Sequence, residues 1–249
     1  MSGKVVLVTG GGRGIGAETA KRAAAAGWKV ALSYVSDEAA ALSVAGEIES
    51  GGGAALAVRA DVGVEQDIVG LFEAVDARFG RLDGLVNNAG IVAPKSRVDQ
   101  LGADRIERML RINVTGSILC AREAVRRMST LHGGTGGAIV NVSSVAAVLG
   151  SAGEYVDYAA SKGAIDSFTI GLAREVATEG IRVNAVRPGT VATEIHASAG
   201  QPDRVERVRP MIPMKREGRP EEIAEAIVWL LSNEASYATG AIVDVSGGR

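Results

Sequence analysis

Along this chain, short runs of apolar and β-branched residues alternate with helical patterns, and that alternation limits the fold more than anything else in it. Strands are expected at about 4–9, 29–34, 54–60, 82–87, 138–142, 181–186 and 241–245. Helices are expected from the glycines after the first strand to about 26, then at 37–50, 65–79, 103–128, 156–178 and 221–231. Asp37 is placed to cap the second helix or to sit in its first turn. The strands are nearly all apolar rather than alternating, which marks burial on both faces. Strand–helix–strand units cross over right-handedly, so the sheet is mainly parallel, with helices on both sides. No linker divides the chain. The expectation is one doubly wound α/β domain over residues 1–249, its ligands at the carboxyl ends of seven strands. Residues 191–219 read as an irregular lobe rich in charge and proline.

The first connection is Gly10-Gly11-Gly12-Arg13-Gly14-Ile15-Gly16. Glycines here let the backbone approach a ligand, and the following helix offers free N–H groups and a partial positive charge to a pyrophosphate. Gly10, Arg13, Gly14, Ile15 and Gly16 are therefore candidate cofactor-binding residues. Binding of a ribose 2′-hydroxyl calls for an acidic residue at the end of the second strand. The sequence there is Leu32-Ser33-Tyr34-Val35-Ser36. A carboxylate would repel a 2′-phosphate, whereas Arg13 would pair with one. With Ser36 at that end, NADP is expected over NAD.

Tyr158 and Lys162 stand four apart in an Ala-rich run, hence one turn apart on one helix face. An ammonium at ~4 Å and an effective dielectric near 20 favours a phenolate by about 4 kcal/mol before desolvation. The expectation is a tyrosine made acidic by two or three pKa units, usable in acid–base work. An isolated Tyr-x-x-x-Lys is also a common surface pattern, so context must carry the rest.

Composition removes several other classes. A net charge of −2 offers nothing to nucleic acid or to an anionic membrane. No apolar run reaches the roughly 18–20 residues of a membrane span, and the chain begins with a strand rather than a signal peptide. Cys120, alone, permits no internal disulfide, reads as a packed small residue and fits a reducing, cytoplasmic setting. His132 and His196 read as loop residues, so no His/Cys metal cluster is expected.

At Asn87-Asn88-Ala89-Gly90 the chain begins to resemble the short-chain dehydrogenase/reductase family, in the branch of roughly 250 residues. It shares that family's Thr-Gly-x-x-x-Gly-x-Gly loop, this Asn-Asn-Ala-Gly segment, a serine after the fifth strand and Tyr-x-x-x-Lys, in order over essentially the whole length. The resemblance implies a Rossmann-type oxidoreductase that interconverts a carbonyl and an alcohol on a small-molecule substrate. It assigns acid–base work to Tyr158, with Tyr155 a decoy whose helical neighbour four residues on is Ala159. Lys162 would lower the tyrosine pKa and hold the nicotinamide ribose. The serine is Ser144 by local similarity, with Ser143 as runner-up, since the usual separation lands on Val145; an insertion of one residue within 150–157 is implied. Asn113 resembles the residue that kinks the long helix and holds a water near the lysine.

The resemblance also places Asp61 and Val62 against adenine, although Asp61 suits a helix cap too. Asn87, Ala89 and Gly90 would run under the adenine ribose. Pro188, Gly189, Val191 and Thr193 would meet the carboxamide and phosphate. It makes 191–219 the substrate lobe, and its C-terminal segment, Tyr237-Ala238-Thr239-Gly240 through Gly248, implies a homotetramer. A non-catalytic cofactor-sensing protein on the same fold is the alternative; such proteins usually lose the tyrosine or the lysine, and both are kept.

Overall fold

In the computed structural model, which describes residues 3–193, 200–201 and 203–249, the run Val5–Val8 (β1) is buried at every position. It is the third strand of a seven-stranded, wholly parallel sheet ordered β3-β2-β1-β4-β5-β6-β7. The other strands are β2 (Lys29–Tyr34), β3 (Ala55–Arg59), β4 (Gly84–Asn87), β5 (Gly137–Val142), β6 (Ile181–Pro188) and β7 (Ile242–Val245). The helices are α1 (Gly14–Ala25), α2 (Glu38–Ser50), α3 (Glu65–Phe79), α4 (Ala103–Leu110), α5 (Ser117–Met128), α6 (Ala146–Leu149), α7 (Val156–Glu175), α8 (Arg204–Val208) and α9 (Pro220–Leu231).

The period-two geometry of a strand sends alternate side chains to opposite faces. Val6, Val8, Val30, Leu32, Val86 and Val140 pack on one face against α1, α2 and α9. Val5, Leu7, Ala31, Leu85, Ile139 and Val183 pack on the other against α3, α5 and α7. Each strand therefore needs apolar residues at successive positions, which is why the pattern along the chain is continuous rather than alternating.

The long helix is interrupted, where the resemblance implied a kink at Asn113, by a wide π turn over Arg111–Gly116, within which Asn113 is buried. Two other elements differ from expectation. α7 ends at Glu175 and gives way to a tight 3-10 turn, Ala177–Glu179. The lobe over 191–219 is partly helical, with α8 followed by a 3-10 turn at Arg209–Met211. His132 sits at the end of a 3-10 turn, and His196 lies outside the described residues. Cys120 is wholly buried, and burial pushes its thiol up to about 12.

The strand order reverses between β1 and β4, which is where a parallel sheet opens a crevice above its carboxyl ends.

Candidate active site

One cleft of about 750 Å³ runs over that edge, within the range of small-molecule sites. Its lining comes from residues at or just after the ends of six strands: the glycine loop after β1, Tyr34–Asp37 at the end of β2, and Asp61 with Val62 after β3. Ala89 and Gly90 after β4, Ser143 and Ser144 after β5, and Pro188, Gly189, Val191 and Thr193 after β6 complete it. Tyr158 and Lys162 reach it from α7.

The glycine-loop end suits an anion. Among the long helices, α2, α3 and α9 carry acidic residues in their first turns, and Asp37 Oδ1 accepts from Ala40 N at 3.0 Å to cap α2. The N-terminus of α1 has neither a side-chain cap nor an acidic residue, so its free N–H groups face the cleft unanswered. Gly14 there has φ +53°, a left-handed conformation that side chains resist. Gly10, Arg13, Gly14 and Ile15 all line the cleft, and these features fit a dinucleotide. Gly16 does not line it: a Cβ there would run into the carbonyl oxygen of Gly10, so its glycine serves the close approach of α1 to the loop. Beside Ser36, Asp37 also lines the cleft, an acidic residue three positions beyond the end of β2.

In the Asn87–Gly90 segment the sequence expectation needs correcting. Asn87 is buried away from the cleft, and its Nδ2 donates to Ser117 O and to Asn141 Oδ1, both at 3.0 Å. Its neighbour Asn88 is the one that faces the glycine loop, with Nδ2 donating to Thr9 O at 2.8 Å and Gly10 O at 3.0 Å. The two share a residue type, and only the turn that ends β4 separates their roles. Asp61 lines the cleft but does not cap α3, whose N-cap is Val64; its Oδ1 accepts from Gly63 N at 2.8 Å in the turn before that helix.

Ser144 shares a hydrogen bond with the Tyr158 hydroxyl. Ser143 Oγ instead donates to the carbonyl of Lys162 at 3.2 Å, inside the fold. Asn113 stands behind the cleft rather than in its wall. Its Oδ1 accepts from Ile91 N at 2.8 Å, and its Nδ2 donates to Ile91 O at 2.9 Å and Ser161 Oγ at 3.1 Å. Gly90 lies against both groups: a Cβ built on it would stand 3.4 Å from Asn113 Oδ1 and 3.6 Å from Lys162 Nζ, ordinary contact distances.

The expected effect of Lys162 on Tyr158 is not what the geometry gives. Lys162 Nζ is buried, donates to Val142 O at 2.7 Å and lies 5.6 Å from the centroid of the Tyr158 ring. Burial drives Tyr158 above the ordinary phenol value, outweighing the opposing hydrogen bond with Ser144 and the field of Arg204. Burial also brings Lys162 down to about 8, against a smaller opposing field from Asp166. Spacing put the two side chains on one face correctly, but desolvation of both charges exceeds their attraction.

Sequence reasoning placed Arg204, Arg207 and Met211 in the substrate lobe but missed their meeting with Glu154 and Tyr155 at the Tyr158 end of the cleft. Glu154, Tyr155, Arg204, Arg207, Val208, Met211 and Arg249 all line it. Tyr155 is buried with its ring edge-on to Tyr158, 5.7 Å between centroids and 88° between planes. Burial pushes its hydroxyl up to about 12. The partners are some fifty positions apart, so no local pattern links them; the charge density of the lobe was the one available signal.

Comparison with known proteins is consistent throughout. The family model described as enoyl-(acyl carrier protein) reductase matches residues 10–249. An uncharacterised oxidoreductase of Escherichia coli, YgfF, is 56% identical over 98% of this chain and 99% of its own. Glucose 1-dehydrogenase 2 of Bacillus subtilis is 38% identical over 100% of this chain and 95% of its own. The crystal structure of a short-chain dehydrogenase from Burkholderia cenocepacia in complex with NADP is similar with a TM-score of 0.91 and 33% identity, covering 99% of this chain and 98% of that one.

Proposed function

The chain belongs to the short-chain dehydrogenase/reductase family, and on that premise we propose that it is an NADP(H)-dependent oxidoreductase that reduces a carbonyl to an alcohol, or runs the reverse. The observation that carries this reading is the meeting of an uncapped helix N-terminus, Ser144, Tyr158 and Lys162 on one cleft.

The dinucleotide would be held at the α1 N-terminus by Gly10, Gly14 and Ile15, with Arg13 and Ser36 for a 2′-phosphate and Asp61 and Val62 for the adenine. Ala89, Gly90, Lys162, Pro188, Gly189, Val191 and Thr193 would hold the rest. The NADP preference is supported by Arg13 in the loop and by Asp37 having turned its carboxylate to cap α2. A relative of known structure carries NADP.

When bound, the nicotinamide supplies or accepts the hydride. The protein does the remainder. Ser144 holds the substrate oxygen beside Tyr158, where charge develops. Tyr158 gives that oxygen its proton, and the burial that keeps the phenol protonated suits the reductive direction. Lys162, poised near neutrality, restores the proton to the tyrosine. Asn113, at the π turn behind Lys162, extends the relay by ordering water. The substrate enters between Tyr158 and the lobe at 191–219. The enzyme works in the cytoplasm as a homotetramer.

The test is Tyr158→Phe. Turnover on a panel of carbonyl compounds, followed by NADPH absorbance, should fall by about 10³-fold or more, while the Kd for NADPH stays within about twofold. Activity retained in that variant would remove the assigned role.

A further inference from the structure

Beyond Tyr158, the cleft ends in charged groups that the proposed reaction does not use. Arg204, from α8, is 7% exposed and lies with its guanidinium carbon 4.7 Å from the centroid of the Tyr155 ring. One aromatic ring therefore separates it from the ring of Tyr158. Its Nη1 donates to Glu154 Oε2 at 2.5 Å. Its Nε is buried and meets no hydrogen-bond acceptor among the described residues. A buried guanidinium N–H left unanswered is costly, and an acceptor that supplied the missing bond would recover that cost. Beside it, Arg207 Nη2 donates to Gln201 Oε1 at 2.8 Å and lies 3.4 Å from Glu154 Oε1.

Three charged side chains of this cluster, Glu154, Arg204 and Arg207, line the cleft together. Burial alone would raise Glu154, yet the hydrogen bond from Arg204 and the fields of Arg204, Arg207 and Lys95 bring its carboxyl below the ordinary value. Asp203, 3.6 Å from Arg207, is the other carboxylate of the cluster. Asp203 lies outside the lining, so beside the proposed acid the wall of the cleft presents the guanidinium groups of Arg204 and Arg207 with the carboxylate of Glu154 between them.

We infer that Arg204, assisted by Arg207, receives the carboxylate of the substrate, so that the compounds turned over are oxo acids or hydroxy acids with a short linker between the reacting carbon and a carboxylate. The inference rests on the function proposed above and names its substrate class. An arginine suits the role because its planar fork matches a carboxylate and stays charged when buried. The Tyr155 ring, 4.7 Å from the guanidinium carbon, holds the group in place by a cation–π contact.

The experiment compares acetoacetate and levulinate with their methyl esters, as kcat/KM with NADPH, on the wild type, Arg204→Gln and Glu154→Gln. The wild type should prefer each acid to its ester by about tenfold or more, mainly through KM, the effect of one hydrogen bond to a charged group. Arg204→Gln should bring the acid-to-ester ratio close to one. Glu154→Gln removes the competing carboxylate and should raise the ratio. A cluster that merely pins α8 to the 150–155 segment would make acid and ester fall together in both variants, and that outcome overturns the inference. A wild-type ratio of one or less overturns it too. Thermal denaturation establishes that each variant is folded, and the wild-type ratio stands whether or not they are. If neither acid nor ester is turned over, the proposed reductase activity fails on its own account. Calorimetry with levulinate and methyl levulinate then decides: binding of the acid alone, lost in Arg204→Gln, supports the inference, and absence of acid binding ends it.

Discussion

At the residue scale, burial governs the chemistry more than pairing does. Lys162 holds a charge inside the fold at a cost, its pKa falling from 10.5 to about 8. Its unfolded form binds the extra proton between those values, so stability rises with pH across that window. The penalty is complete below about 8 and gone above 10.5. Lys162→Met should therefore stabilise the cofactor-free protein by ~2 kcal/mol at pH 7, read as a higher Tm, and the gain should vanish as pH approaches 10.5. The same variant should be inactive. Arg13 makes a second prediction. If it pairs with a 2′-phosphate, Arg13→Ala should weaken NADPH binding about tenfold and leave NADH binding unchanged, measured by fluorescence titration. Equal or tighter binding of NADH by the wild type would overturn the cofactor preference.

At the element scale, the site depends on how helices are tied to one another. Asp157, in the first turn of α7 and next to Tyr158, accepts from Arg105 Nε at 2.8 Å and Nη2 at 3.1 Å. Arg105 Nη1 also donates to Pro94 O at 2.6 Å, so one side chain on α4 positions both α7 and the segment after β4. Asp157 is buried, and stripping its partner leaves an uncompensated charge. Arg105→Ala should cost about 3 kcal/mol in urea denaturation and lower kcat along with it. The π turn shows the same economy in the backbone. Widening the helix at Asn113 brings its amide to the main chain of Ile91 and to Ser161, linking three elements behind Lys162. Helical periodicity alone gives no sign of that widening; the resemblance at Asn113 was what pointed to a kink there.

At the scale of the whole molecule, the sheet is covered on both faces, while its far edge at β7 has no further strand. Nearby, Tyr237 stands wholly exposed and Trp229 is 43% exposed. Large aromatics left in water favour an interface, which agrees with the proposed tetramer. Light scattering should give the mass of four chains, and Tyr237→Asp should shift the distribution towards smaller species. A monomeric mass in the wild type would remove the tetramer.

Much of this molecule was legible from the order of its residues. Continuous apolar runs can only be strands buried twice over, so the layers and the parallel sheet followed, and with them the edge on which Gly14, Ser144 and Tyr158 meet. Asn87 and Asn88 could not be told apart, because the turn after β4 decides which of two identical side chains faces the glycine loop. The Arg204–Glu154–Tyr155 cluster was invisible because its members are joined only by folding. The sequence by itself determined the periodicities, the strand-end positions of the glycines and the one-turn spacing of Tyr158 and Lys162. Only the tertiary structure decided which charges are buried and which polar groups lack partners, since desolvation depends on every element packed around a group and not on its neighbours along the chain.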